Sequence, residues 1–311
     1  MPTSSRAPAL LCARVALFAS LGALPCAAVR FPFLNFPKRD NYGLRCMSFD
    51  EKSMQKHVTA IVSTSPRKED GSGVGLQVLK DTINSIRDVL GFKEAQIVVA
   101  WDALPAGSKD GSGFTQNLPE STAANYSKKL REFKKWNEEA LGGQVTIFQN
   151  QEWTHQAEML HRVFEYLEAN MTWTPLFYLA QDDSPVFGSI DVPLILRLLS
   201  CEPDVEYVRF LWSNDCTEGR AKNWNEPCEQ HNRTEMLQSV GRMSDRPHFA
   251  TANFYYDQIF RRCPRFYRGA PERKARGVHK AWLYGKRHEM LHDTNALVNS
   301  YNDQPGTYHA H

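Results

Sequence analysis

The 311-residue sequence predicts an α/β fold built on a mostly parallel central sheet, with a smaller second lobe. Two observations carry this expectation. Four short apolar runs, at 57–66, 95–102, 144–150 and 174–184, are separated by segments whose apolar residues recur at helical spacing. Two of those runs end on acids, Asp102 and the pair Asp182-Asp183, as strands do when their carboxyl ends open into a crevice. A hydrophobic content of 42% is enough for one substantial core.

The elements follow in order. HVTAIVSTSP (57–66) reads as a buried strand ended by Ser and Pro, with a Gly-rich turn after it. Leu76, Leu79, Ile83, Ile86 and Leu90 form one face of a helix, which Gly91 closes as a left-handed cap. AQIVVAWD (95–102) is the second strand. Residues 103–122 read as a loop, and Tyr126, Leu130, Phe133, Trp136 and Ala140 give 124–140 the narrow apolar stripe of an exposed helix. QVTIFQN (144–150) is a third strand. Ala157, Leu160, Val163, Phe164 and Leu167 form another helical face, and TPLFYLAQDDS (174–184) is a fourth strand running into its acids. Beyond it, 190–200 is a helix, 205–212 a strand, and 249–260 a strand entering a helix. The polar stretch between 213 and 235 suits a substrate-facing insertion.

The amino terminus reads as targeting sequence. Residues 1–28 carry Arg6 and Arg14, no acid, and an apolar run closing on small residues, which fits a signal peptide or a short signal anchor. That run is shorter than the roughly 20 residues a spanning helix needs, so any membrane attachment is expected through this segment alone. Residues 29–56 mix prolines, aromatics and charges and read as a linker or stem. The folded domain is then 57–311, divided into halves 57–190 and 191–311. Asn125-Tyr-Ser, Asn170-Met-Thr and Asn232-Arg-Thr are acceptor tripeptides for N-glycosylation if the chain enters the lumen. Cys216 and Cys228 flank the polar insertion; a loop-closing disulfide and reduced thiols both stay open there.

Lys and Arg together number 37 against 35 Asp and Glu, so no field of one sign covers the chain and nucleic acid is not the expected partner. The basic run at 261–280 suits a diphosphate, an acidic glycan, an anionic head group or plain surface charge. Asp182 and Asp183 are the sharpest chemical signal. Paired carboxylates at a strand end can hold Mn²⁺ or Mg²⁺ through oxygen while that ion neutralises a diphosphate, although Asp-Asp-Ser-Pro is also good turn sequence. His309 and His311, on one side of an extended tail, are candidates to complete such a site. Asp102 can meet a uracil or ribose or cap the following turn. Thr64, Ser65, Pro66 and Arg67 can line the same crevice. Lys128, Lys129 and Arg131 serve either a diphosphate or a charged helical face.

VTAIVSTSPR (58–67), LKDTINSIRDVLG (79–91), AQIVVAWD (95–102) and PLFYLAQDDSPVF (175–187) together resemble the nucleotide-sugar glycosyltransferases of the A fold. The likeness covers 57–190 and continues weakly to the terminal GTYHAH. It implies a sheet of glycosyltransferase A type with an acceptor-side lobe, and metal-dependent transfer from a nucleotide-diphosphate sugar to a glycan, glycoprotein or lipid in the Golgi or ER lumen or after secretion. Thr64, Ser65, Pro66, Arg67 and Asp102 would face the nucleotide, Asp182 and Asp183 the metal, and His309 or His311 its far side. Gln181-Asp182-Asp183-Ser184 departs from a clean Asp-x-Asp, leaving open which carboxylate meets the ion.

An inverting reaction needs a base opposite the leaving group, for which Asp215, Glu218 and Glu226 are the candidates and Asp245 and Asp257 weaker ones; inversion and retention both stay open. Trp212 and Trp224 can stack on an acceptor sugar or anchor the insertion. Two other classes suit the same acids: a metal-dependent nucleotidyltransferase or phosphoesterase, and a secreted carbohydrate-binding protein without catalysis.

Overall fold

A computed structural model describes residues 44–66, 70, 73–104, 120–186, 190–203, 205–210, 232–234, 237–242, 247–261 and 276–284, with the backbone alone at 232–234, 237–242 and 276–284. All belong to one unit, Lys38–His311. The targeting segment, Arg67, Cys216 and Cys228, Trp212 and Trp224, Asp215, Glu218, Glu226, Asp245, the basic run at 262–275 and the terminal His309 and His311 lie outside the described residues. Among the described residues no helix is long and apolar enough to cross a membrane.

The central sheet is mixed. Strands β1 (Val58–Thr64), β2 (Gln96–Trp101), β3 (Val145–Gln149), β4 (Leu176–Gln181), β5 (Tyr207–Phe210), β6 (Asn232–Thr234), β7 (Leu237–Arg242), β8 (His248–Thr251) and β9 (Arg276–Tyr284) lie in the order β3-β2-β1-β4-β8-β5-β9-β7-β6. The first four are mutually parallel. β8 runs antiparallel to both β4 and β5, β9 pairs parallel with β5, and β7 and β6 close the far edge antiparallel. The expected mostly parallel sheet therefore holds for the amino-terminal half. In the other half the pairings are antiparallel except for β5 with β9.

Helices lie on both faces. α1 (Glu51–His57), α2 (Val74–Asp88), α3 (Glu120–Leu141), α4 (His155–Asn170) and α5 (Val192–Cys201) are joined by a turn at Ala252–Phe254 that runs into a π-helical segment, Tyr255–Phe260. Leu79, Ile83 and Ile86 of α2, Tyr126 and Phe133 of α3, and Ile195 and Leu199 of α5 share one buried cluster with Val58, Ala60 and Val62 of β1 and Tyr178 of β4. On alternate strand positions Phe177 packs against Phe164 of α4 at 4.4 Å between ring centroids, and Phe164 meets Phe260 at 5.0 Å. Because helices cover both faces, β1, β2 and β4 are buried almost along their whole length and read as continuous apolar runs instead of alternating ones.

Two local expectations change, and a disulfide is added. Order begins before residue 57: α1 carries a reciprocal cap between Asp50 and Ser53, and Phe49 and Met54 join the core, so 44–56 is part of the fold and not a free stem. Cys46 is disulfide-bonded to Cys201 at the end of α5. The buried face of α3 is Thr122, Tyr126, Lys129, Phe133 and Asn137. That is a stripe rotated from the expected one, with Leu130 and Trp136 only half-buried at its flank.

Candidate functional site at the carboxyl ends of β1 and β4

The chain moves outward through β1, β2 and β3 in one direction and resumes at β4 on the other side of β1. The β1/β4 boundary is therefore the topological switch point, where crevices open above the carboxyl ends of strands. Thr64 and Asp182 end these two strands. The Asp182 amide donates to the Ser63 carbonyl at 2.9 Å, extending the ladder by one bond. Thr82 of α2 donates its hydroxyl to the Asp182 carbonyl at 3.0 Å. The acids are thus placed by the strand and by the helix packed beneath it.

The two carboxylates face different surroundings. Asp182 is buried; its Oδ2 accepts from the Thr64 hydroxyl at 2.6 Å and from the Lys129 ammonium at 2.8 Å. Lys129 Nζ also donates to Asp70 Oδ1 at 3.0 Å, and all three side chains are at most 3% exposed. The same ammonium stands 5.9 Å from the centroid of Trp101 and 6.0 Å from that of Tyr126. An opposite charge and hydrogen bonds offset the cost of burying these groups. Asp182, expected at the metal, thus has one oxygen committed inward. Asp183, the next residue, is half-buried at the turn that follows, with Oδ1 accepting from Ser184 Oγ at 3.3 Å.

Asp102 is buried as well. Its Oδ1 accepts from the Ala103 amide at 2.9 Å, the Thr154 amide at 3.1 Å, Asn150 Nδ2 at 3.2 Å and the Thr154 hydroxyl at 3.4 Å. Of the two roles expected for it, this oxygen performs the capping one: it binds the turn after β2 to the end of β3 and to the start of α4. Tyr126 donates its hydroxyl toward the carbonyls of Thr64 and Asp102, each at 3.1 Å, fastening α3 to the ends of β1 and β2. Burial first, then the negative charges of Asp102, Asp182 and Asp70, push that phenol well above the usual tyrosine range, so it stays protonated as a donor.

Of the remaining expected residues, Ser65 is exposed and Pro66 half-buried beyond Thr64. Lys128 is exposed and pairs with Glu132 one turn on, and Arg131 is exposed, so both fit the charged-face reading. Asp257 pairs with Arg261 at 2.8 Å on the surface. Among the described residues no group of three or more His, Cys, Asp or Glu side chains converges as a metal cage. Lys129 as the buried partner of Asp182, and Asp70 as its second partner, were not singled out by sequence reasoning. The signal was a lysine at a buried-stripe position of α3, which requires a buried acid opposite it.

Gly75 marks how tightly this corner is built. A Cβ there would lie 2.5 Å from Asp70 Oδ1 and 3.4 Å from Lys129 Nζ. The first turn of α2 therefore approaches the ion-pair set without a side chain between them.

No protein-family model and no curated protein matches the sequence. Solved structures similar to the chain include GalNAc-T7 with UDP, GalNAc and Mn²⁺, at 11% identity and a TM-score of 0.46. They also include the galactosyltransferase LgtC with donor and acceptor sugar analogues, at 9% identity and a TM-score of 0.34. The third is 4-diphosphocytidyl-2C-methyl-D-erythritol synthase from Anaerococcus prevotii DSM 20548, at 13% identity and a TM-score of 0.31. The matches cover 76%, 71% and 68% of this chain respectively. They span 43% of GalNAc-T7, 67% of LgtC and 76% of the synthase. At such identities and TM-scores the likeness carries no inference about reaction, donor or metal.

Proposed function

We propose that the chain transfers a sugar from a nucleotide-diphosphate donor to a carbohydrate-bearing acceptor within the secretory pathway, with Asp183 as the carboxylate that meets a divalent cation. The observation that carries this reading is the division of labour at the switch point. Lys129 and Thr64 hold Asp182 inward at 2.8 and 2.6 Å, while Asp183 follows it half-buried in the turn after β4.

The residues fit such an ion in a particular way. Without a three-ligand cage among the described residues, one carboxylate, the donor's own phosphate oxygens and water would make up the shell, the mode in which Mg²⁺ is commonly held. Bound there, the ion would neutralise charge on the departing diphosphate. In this reading the chain's own residues act around it: Tyr126 ties α3 to the ends of β1 and β2, and Lys129 offsets the charge of Asp182 beside Asp183. The Cys46–Cys201 disulfide supports an oxidising compartment.

The test is a donor screen on the purified chain with UDP-, GDP- and CMP-sugars, with and without Mn²⁺, recording binding and nucleotide release. Metal-dependent binding of one donor, lost in Asp183→Asn, is expected. Turnover of a nucleotide with no sugar acceptor would favour a nucleotidyltransferase or phosphoesterase, and metal-dependent glycan binding without donor cleavage a lectin-like role. A folded protein that binds none of the donors would remove the reading.

A further inference from the structure

The three acceptor tripeptides differ sharply in where the fold places them. Asn125 sits inside α3, half-buried and adjacent to the buried Tyr126, and the Ser127 hydroxyl is bonded to the Ala123 carbonyl at 3.0 Å. Asn232 opens β6, where only the backbone is described. Asn170 is the last residue of α4 and is exposed, as is Thr172 two residues on. Between them Met171 leaves the helix in extended conformation, with φ −132° and ψ 174°.

We propose that Asn170 is a site of N-linked glycosylation. An Asn-x-Thr whose Asn and Thr are both exposed, at the point where a helix gives way to extended chain, can carry a large polar substituent without displacing a packed core. The Asn170 amide Nδ2 donates one hydrogen to the Tyr166 carbonyl at 3.0 Å. Substitution replaces only one of its two N–H bonds, so one donor remains on the nitrogen in the product. The donor class is an oligosaccharide joined through its anomeric carbon to a lipid diphosphate. The Nδ2–C1 bond forms as the C1–O bond to the diphosphate breaks, the lipid diphosphate leaves with the electron pair, and the amide proton passes to a base of the transferring enzyme.

Two further observations agree. The Cys46–Cys201 disulfide fits folding in an oxidising compartment, as this modification requires. The glycan would also stand clear of the crevice. α4 starts beside Asp102 and runs 16 residues to Asn170, about 24 Å at the α-helical rise, so its end lies toward the opposite rim of the sheet. The site is independent of the reaction proposed above and stands or falls separately from it.

The experiment expresses the full chain in a secreting eukaryotic cell, then treats it with peptide-N-glycosidase in heavy-oxygen water and maps peptides by mass. Conversion of Asn170 to labelled Asp is expected, together with loss of one glycan-sized step in gel mobility in both Asn170→Gln and Thr172→Ala. Thr172→Ser keeps the hydroxyl and retains the step, which separates loss of the acceptor from misfolding of a variant. Recovery of the Asn170 peptide unmodified from the parent protein, whether or not Asn125 or Asn232 carries sugar, would overturn the proposal. So would a Thr172→Ala protein that keeps the full mobility shift.

Discussion

The Lys129 ammonium lies 2.8 Å from Asp182 Oδ2 and 3.0 Å from Asp70 Oδ1, so a single buried cation joins α3 to the end of β4 and to the chain between β1 and α2. Three segments distant in sequence meet at one charge. Their mutual dependence is the source of the first two predictions.

Lys129→Met leaves Asp70 and Asp182 buried without their shared cation. Breaking a buried pair from one side costs about 3–5 kcal/mol, and that loss of unfolding free energy is expected in urea denaturation. The triple variant K129M/D70N/D182N, which removes all three charges together, is expected to recover most of it. A single Lys129→Met as stable as the parent would show that the ammonium is solvated in solution.

Gly75→Ala places a methyl against Asp70 Oδ1, which the Lys129 bond prevents from swinging away. A loss of about 1–3 kcal/mol is expected, the usual range for overpacking a close contact. In an Asp70→Ala background the same substitution should cost less. Equal costs in both backgrounds, measured as a double-mutant cycle, would place the strain elsewhere.

The Cys46–Cys201 bond closes a loop of 155 residues of sequence separation. Removing it with Cys46→Ser and Cys201→Ser together is expected to lower stability by about 2–5 kcal/mol. The parent's melting temperature should fall on reduction to match the double variant, whose own melting temperature is insensitive to reductant. A parent indifferent to reductant would contradict the pairing.

Alkaline pH should act through Tyr126. Its folded pKa is raised by burial and by Asp102, Asp182 and Asp70, so its contribution is complete below the unfolded tyrosine value and is lost as pH rises through about 10 and beyond. Tyr126→Phe forfeits the hydrogen bonds to Thr64 and Asp102, about 1 kcal/mol at neutral pH. Its melting temperature should then fall less steeply than the parent's above about pH 10, although Tyr178 and Tyr255, also raised by burial, keep some slope in both. Parallel curves would exclude the contribution of Tyr126.

Periodicity made much of the amino-terminal half legible. The runs at 57–66, 95–102, 144–150 and 174–184 became β1 to β4 because buried parallel strands must be apolar on both faces, and that requirement shows in composition. Gly91 closes the region after α2 at φ +76°, a conformation that glycine alone adopts without strain. The reversal at β8 was not legible, since a four-residue strand carries the same composition in either direction.

By itself the sequence determined the α/β class, the helical faces of α2 and α4, and the placing of Asp182 and Asp183 at a strand's end, all of which follow from spacing along the chain. Only the tertiary structure decided that Asp182 turns inward to Lys129 while Asp183 is half-buried in the turn after it, and that Cys46 joins Cys201. It also decided that Asp102 binds a turn to a helix. These are choices of partner among residues 53, 155 and 52 positions apart. A charge or thiol in sequence shows only that a partner is needed; the sheet order brings a particular one within reach.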